Sequence, residues 1–97
     1  MTMTSGLVTV HVLIEGRVQG VGYRAWCADT AIARGLSGWV RNRTSGAVEA
    51  VFSGQPAGVA DMLDAVWRGP RLAKVTGVKE LDPVELQEGP FKVRETA

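Results

Sequence analysis

Cysteine and histidine are almost missing from this chain: Cys27 and His11 each stand alone among 97 residues. A single thiol excludes an intrachain disulfide and fits a reducing compartment, which points to the cytoplasm. No His/Cys/carboxylate group has metal-ligand spacing, so no metal site is expected. Lysine does not occur before Lys74. A Walker loop, which must end in Gly-Lys-Ser/Thr, is therefore excluded from the glycine-rich N-terminal third. No apolar run approaches the roughly 20 residues of a membrane span, and residues 1–6 lack the basic and apolar regions of a secretory signal. An excess of charge of one sign is missing too. Eleven basic and ten acidic residues interleave to a net charge of +1, which argues against a protein built to neutralise a long nucleic-acid backbone.

What is present is patterned. The length suits one domain, residues 1–97, with the small polar residues 1–6 as a loose tail. From Leu7 to Glu15 the chain alternates, with Val8, Val10, Val12 and Ile14 on one face and Thr9, His11, Leu13 and Glu15 on the other; this is the period of a half-buried strand. After a glycine-rich turn, Tyr23, Cys27, Ala28 and Ala31 share one side of a helix that Gly35 ends. Leu36–Arg43 and Ala47–Ser53 read as two strands of a hairpin turning at Thr44-Ser45-Gly46. A second helix starts at Gly54-Gln55-Pro56, aligns Val59, Met62, Leu63, Val66 and Trp67, and stops at Gly69-Pro70. Ala73–Leu81 is a fourth strand, Asp82–Pro90 a polar crossing, and Phe91–Glu95 can add a short fifth strand. The order β-α-β-β-α-β predicts an α+β, ferredoxin-like sandwich: two helices on one face of a four-stranded antiparallel sheet. That fold hosts many unrelated activities and does not decide function.

The turn Gly16-Arg17-Val18-Gln19-Gly20-Val21-Gly22-Tyr23-Arg24 carries the chemistry. Its three glycines let the backbone take up positive φ and approach a ligand. Successive N–H groups at a helix start form a cavity suited to an anion. Arg24 falls in the first helical turn, where a cation is disfavoured unless it meets an anion. A turn that is merely tight is the competing reading, and it leaves that arginine without a reason. Gly20 to Ala25 also fits the loose dinucleotide pattern, but an antiparallel sheet and Ser45 in place of an acidic residue exclude it. Alternation puts Asn42 on the helix-facing side with Gly38 and Val40, and Trp39 and Arg41 on the other. Asn42 is open to two readings: a functional carboxamide at the end of an inward row, or a turn initiator before Thr44.

The remaining reactive residues have plainer explanations. Cys27 lies on the buried stripe of the first helix, and a thiol phosphatase would need arginine at position 33, where Ala33 stands. His11 and Trp26 are expected at the surface. Arg17, Arg41, Arg43, Arg68, Arg71 and Lys74 could form a basic patch, but the outward positions His11, Glu49 and Val51 offer no stacking platform for RNA.

Taken together, Gly16–Arg24, Gly38-Trp39-Val40-Arg41-Asn42 and Gly46–Phe52 closely resemble the acylphosphatase family, as do Gly69-Pro70 and Phe91-Lys92-Val93. The resemblance spans nearly the whole chain. It implies a ferredoxin-like fold and hydrolysis of carboxyl-phosphate anhydrides without metal or cofactor. It also implies catalytic roles for Arg24 and Asn42, and a phosphate cradle made mainly of the backbone amides of Arg17, Val18, Gln19, Gly20, Val21, Gly22 and Tyr23. Tyr23 stands where the family often has Phe, and the C-terminal aromatic of many relatives is missing. The partner expected is a small acyl phosphate, with inorganic phosphate or sulfate able to occupy the site of a monomer, and no nucleic acid or membrane. A non-catalytic anion- or RNA-binding module is the alternative from another class. A domain that begins a larger carbamoyl-handling protein is a third reading, against which the short length argues.

Overall fold

β-Branched residues at alternate positions carry the first strand, β1 (Val8–Arg17), through the interior of a five-stranded sheet. The computed structural model describes residues 6–97; of the expected loose tail over residues 1–6, all but Gly6 lies outside the described residues. The other elements are α1 (Tyr23–Ala33), β2 (Ser37–Asn42), β3 (Val48–Gly54), α2 (Pro56–Arg68), β4 (Lys74–Glu80) and β5 (Lys92–Val93). The sheet order is β4-β1-β3-β2-β5. β1 lies antiparallel between β3 and β4, and β2 lies antiparallel to β3. This is the expected ferredoxin-like α+β architecture, with one refinement. The short fifth strand forms at Lys92–Val93 and runs parallel to β2, so the sheet is mixed.

Both helices cover one face. Ile14, Val12, Val40, Val48, Ala50 and Phe52 from the strands meet Tyr23, Cys27 and Ala31 of α1 and Val59, Met62 and Val66 of α2 in one core. Burial of this apolar surface, at about 25 cal/mol per Å², is the main force holding the layers together. Helix α1 ends in a Schellman motif: Leu36 N–H donates to the Ala31 carbonyl (3.0 Å) and Gly35 N–H to the Ile32 carbonyl (3.0 Å). Pro56 opens α2, where its missing N–H costs no helical hydrogen bond.

The two tryptophans of the helices differ from expectation. The apolar stripe of α2 is centred near Met62, so Ala65 turns inward. Leu63 is left at the margin, and Trp67, one step further round the helix, is 52% exposed. Trp26 is half-buried instead of standing in solvent, with its ring edge-on to Tyr23 at 5.2 Å between centroids.

The face of the sheet away from the helices is covered as well. The crossing from β4 to β5 passes over β1, β3 and β2 in turn. The Asp82 carbonyl lies 2.9 Å from His11 Nδ1, Gln87 N–H donates to Ser53 Oγ (2.9 Å), and Ser37 Oγ–H donates to the Gly89 carbonyl (2.7 Å). Val51 is fully buried there, and Glu49 and Ser53 nearly so. A polar sequence with no periodicity gave no sign of this role, because the segment is held by its backbone groups and not by an apolar stripe.

Candidate active site

The turn between β1 and α1 owes its shape to its glycines, and they do two different jobs. Gly16 sits at a register shift where β1 meets β4, and a Cβ there would stand 2.2 Å from the Lys74 carbonyl oxygen. It is needed for close approach. Gly20 (φ 74°) and Gly22 (φ 78°) are left-handed, and a Cβ on either would meet nothing within 4 Å. They are needed to curl the backbone around open space. Gly22 is the N-cap of α1, its carbonyl accepting from Trp26 N–H at 3.1 Å. Among the described residues, no backbone N–H from Val18 to Gly22 donates to a main-chain carbonyl. A curled run of free N–H groups leading into a helix N-terminus is a concentrated positive potential.

The space so enclosed is a cavity of about 340 Å³. Val18, Gln19, Gly20 and Gly22 line it from the turn, Tyr23, Arg24 and Ala25 from the first turn of α1, Asn42 from the end of β2, and Val93 from β5. Arg24 and Asn42, 18 positions apart in sequence, thus share one concavity. Neither side chain is held by a hydrogen bond or an ion pair among the described residues. Two members of the expected cradle do not line it: Arg17 is the last residue of β1, opposite Lys74, and Val21 packs against the core. The backbone around Asn42 is pinned: Ala97 N–H donates to the Asn42 carbonyl and Thr44 N–H to the Ala97 carbonyl, both at 3.1 Å.

One wall is anchored through Tyr23. Tyr23 is buried, and its O–H donates to the Val66 carbonyl of α2 at 2.7 Å. Burial, with the neighbouring Cys27 thiol adding to it, pushes the Tyr23 phenol far above its usual range, so it stays a neutral donor. The hydroxyl thus has a partner that a Phe would not need. Burial likewise pushes the Cys27 thiol well up, and with no exposed surface it is a packing residue. Among the described residues, no three His, Cys, Asp or Glu side chains are grouped to hold a metal ion.

Sequence reasoning missed the side chain of Gln19. Its Nε2 donates to the carbonyls of both Arg43 and Ala47, at 2.8 Å each. These residues close the β2–β3 hairpin, Arg43 N–H donating to the Ala47 carbonyl at 2.8 Å. The available signal was a long primary amide set among glycines and valines.

A second polar cluster lies on the other face of the sheet. Glu49 accepts from Arg41 Nε (2.9 Å) and Arg43 Nη1 (2.8 Å), with His11 Nε2 2.6 Å from its second oxygen. His11 is therefore not the plain surface residue expected from alternation. Burial pushes the Glu49 carboxyl up, but hydrogen bonds from His11, Arg41 and Arg43 and the Arg41 charge outweigh it and hold the group below the usual carboxylate range. The guanidinium carbons of Arg41 and Arg94 each lie over the Trp39 ring, 4.9 and 4.7 Å from its centre.

The chain also matches known proteins over most of its length. A family model described as Acylphosphatase matches residues 10–93. An acylphosphatase of Azorhizobium caulinodans is 61% identical over 72 residues, 74% of this chain and 77% of that protein. Acylphosphatase 2 of Ralstonia nicotianae is 49% identical over 94 residues, 95% of this chain and 98% of its own. The solved structure of an acylphosphatase from Coxiella burnetii superimposes with a TM-score of 0.88 at 33% identity, covering 95% of this chain and all (100%) of that one.

Proposed function

The chain belongs to the acylphosphatase family, and from that premise we propose that Arg24 and Asn42 carry the hydrolysis of an acyl phosphate to a carboxylate and inorganic phosphate. The observation that carries the proposal is the meeting of three things in one cavity: free turn amides, an arginine, and a carboxamide, none of them with a partner among the described residues.

The chemistry asks for little more. The leaving group is a carboxylate, which departs near neutral pH without a proton from a general acid. What remains is to hold the phosphoryl oxygens and aim the nucleophile, the main demands of phosphoryl transfer. Backbone N–H groups of the 17–23 turn, chiefly those of Val18, Gln19, Gly20 and Gly22 on the cavity wall, hold the non-bridging oxygens. The planar fork of Arg24 meets two of them from the helix side. Asn42 accepts a hydrogen bond from a water through its side-chain carbonyl and directs that water at phosphorus, in line with the departing carboxylate. The new P–O bond forms as the bond to the acyl oxygen breaks, the electron pair leaves with the carboxylate, and the attacking water's proton passes to a phosphoryl oxygen, giving dihydrogen phosphate. Val18, Ala25 and Val93 give the rest of the cavity an apolar wall, suited to the acyl group.

The same reading takes residues 1–97 as one domain that works as a monomer in the cytoplasm on a small diffusing substrate. A single buried thiol supports it, as does the fact that no helix among the described residues is long and apolar enough to cross a membrane. An RNA-binding module on this fold would present the open sheet face, where residues 82–89 lie instead. The test is the hydrolysis of benzoyl phosphate with and without chelator. Turnover unaffected by chelator and inhibited competitively by inorganic phosphate is the expected result; absence of turnover by the folded protein overturns the reading.

A further inference from the structure

Gln19 reaches from the turn to the β2–β3 hairpin in a way that backbone binding of phosphate does not require. Its side-chain amide has two N–H donors, and both are used, one on the Arg43 carbonyl and one on the Ala47 carbonyl. Neither is left to meet a phosphoryl oxygen. The two acceptors are already partnered within the hairpin: Arg43 accepts from Gly46 N–H at 3.0 Å and Ala47 from Arg43 N–H at 2.8 Å. Gln19 therefore adds a second hydrogen bond to each carbonyl and does not rescue an unsatisfied one. Folding of the hairpin does not demand it. What it does is tie residue 19, in the middle of the cradle, to the residue that follows Asn42.

Asn42 is the last residue of β2 and Arg43 begins the turn. Without the tie, the hairpin tip could shift relative to the cradle while both stayed folded. Misplacement by about 1 Å can cost on the order of 10²-fold in rate. From this we infer that Gln19 is a positioning residue, whose carboxamide sets the distance and angle between the phosphate-holding turn and the water-orienting Asn42. The inference rests on the reading of Asn42 given above.

The test is a double-mutant cycle on the full chain with benzoyl phosphate as substrate and inorganic phosphate as inhibitor. Gln19→Met keeps the length and removes both donors, and Gln19→Leu removes them with a shorter apolar chain; neither adds a charge to the anion cavity. Each is expected to lower kcat by about 10–10²-fold, while the inhibition constant of phosphate stays within about threefold, because the turn amides are untouched. Combined with Asn42→Ala, neither is expected to lower kcat further, since the residue it positions is gone. Multiplying losses in the double variant overturn the inference, as does a kcat unchanged by Gln19 substitution. A parallel loss of phosphate inhibition also overturns it, in favour of a role in building the cradle. Near-normal kcat for Asn42→Ala alone instead overturns the functional reading beneath it. A measurement on the unaltered protein guards against variants that fold poorly. The side-chain amide protons of Gln19 should exchange with solvent far more slowly than those of exposed Gln55; equal rates mean that the tie does not exist.

Discussion

Arg41 and Arg43 on one face of the sheet and Arg24 on the other have opposite circumstances. The first two converge on the buried carboxylate of Glu49, with His11 completing the set. Arg24 has no acidic partner among the described residues and stands at the N-terminal end of a helix, where its charge is opposed by the dipole. The difference teaches what each cluster is for. Charges that satisfy one another join neighbouring strands and contribute to stability. A charge left unsatisfied beside free backbone N–H groups suits the anion-binding role proposed for it.

Substitutions should separate the two regions, and the largest effect belongs to Arg24. Arg24→Ala is expected to lower kcat for benzoyl phosphate by roughly 10³–10⁵-fold, the worth of an arginine acting on a transferring phosphoryl group, with little change in Tm. Arg24→Lys should recover only a small part, because an ammonium cannot replace a two-pronged donor. Asn42→Ala comes next, with a loss of about 10²–10³-fold in kcat and a smaller loss in phosphate inhibition. Steady-state kinetics with phosphate as competitor checks both, and near-normal turnover in either would collapse the contrast.

The Glu49 cluster should respond the other way. Glu49→Gln removes the shared counter-ion of two guanidinium groups, and Arg41 and Arg43 keep partial access to water. The loss of stability by urea denaturation is therefore expected near 2–3 kcal/mol, below the roughly 3–5 kcal/mol of a wholly buried broken pair. Turnover per folded molecule should be retained. The pH dependence has a definite sign. Because the folded-state pKa of Glu49 lies below its unfolded value, its contribution is fully present above the unfolded value and is lost as pH falls through the lower, folded one. Glu49→Gln should flatten that acid limb of the stability curve, and an unchanged limb would assign the acid sensitivity elsewhere. The smallest effect is expected at Cys27: Cys27→Ala should cost about 1 kcal/mol in packing and leave kcat alone, since the thiol is buried and held neutral.

Much of this contrast was legible before any coordinates. Alternation placed Trp39 and Arg41 opposite Asn42, and helical periodicity placed Arg24 in the first turn of α1, because both follow from fixed repeats of strand and helix. His11 was misjudged because alternation tells which face a residue is on and not what lies over that face. Trp67 was placed in the core because eight residues do not complete a whole number of helical turns, and where the stripe is centred depends on the packing partner.

Local sequence determined the elements themselves, the left-handed turn at Gly20 and Gly22, and the presence of a cation at the helix start. These depend on backbone sterics and side-chain periodicity within a few residues. Only tertiary structure decided that Gln19 would bind the β2–β3 hairpin, that Glu49 would gather His11, Arg41 and Arg43, and that residues 82–89 would roof the sheet. Those contacts join segments far apart in the chain, and their geometry is set by strand order and register, which no short stretch encodes.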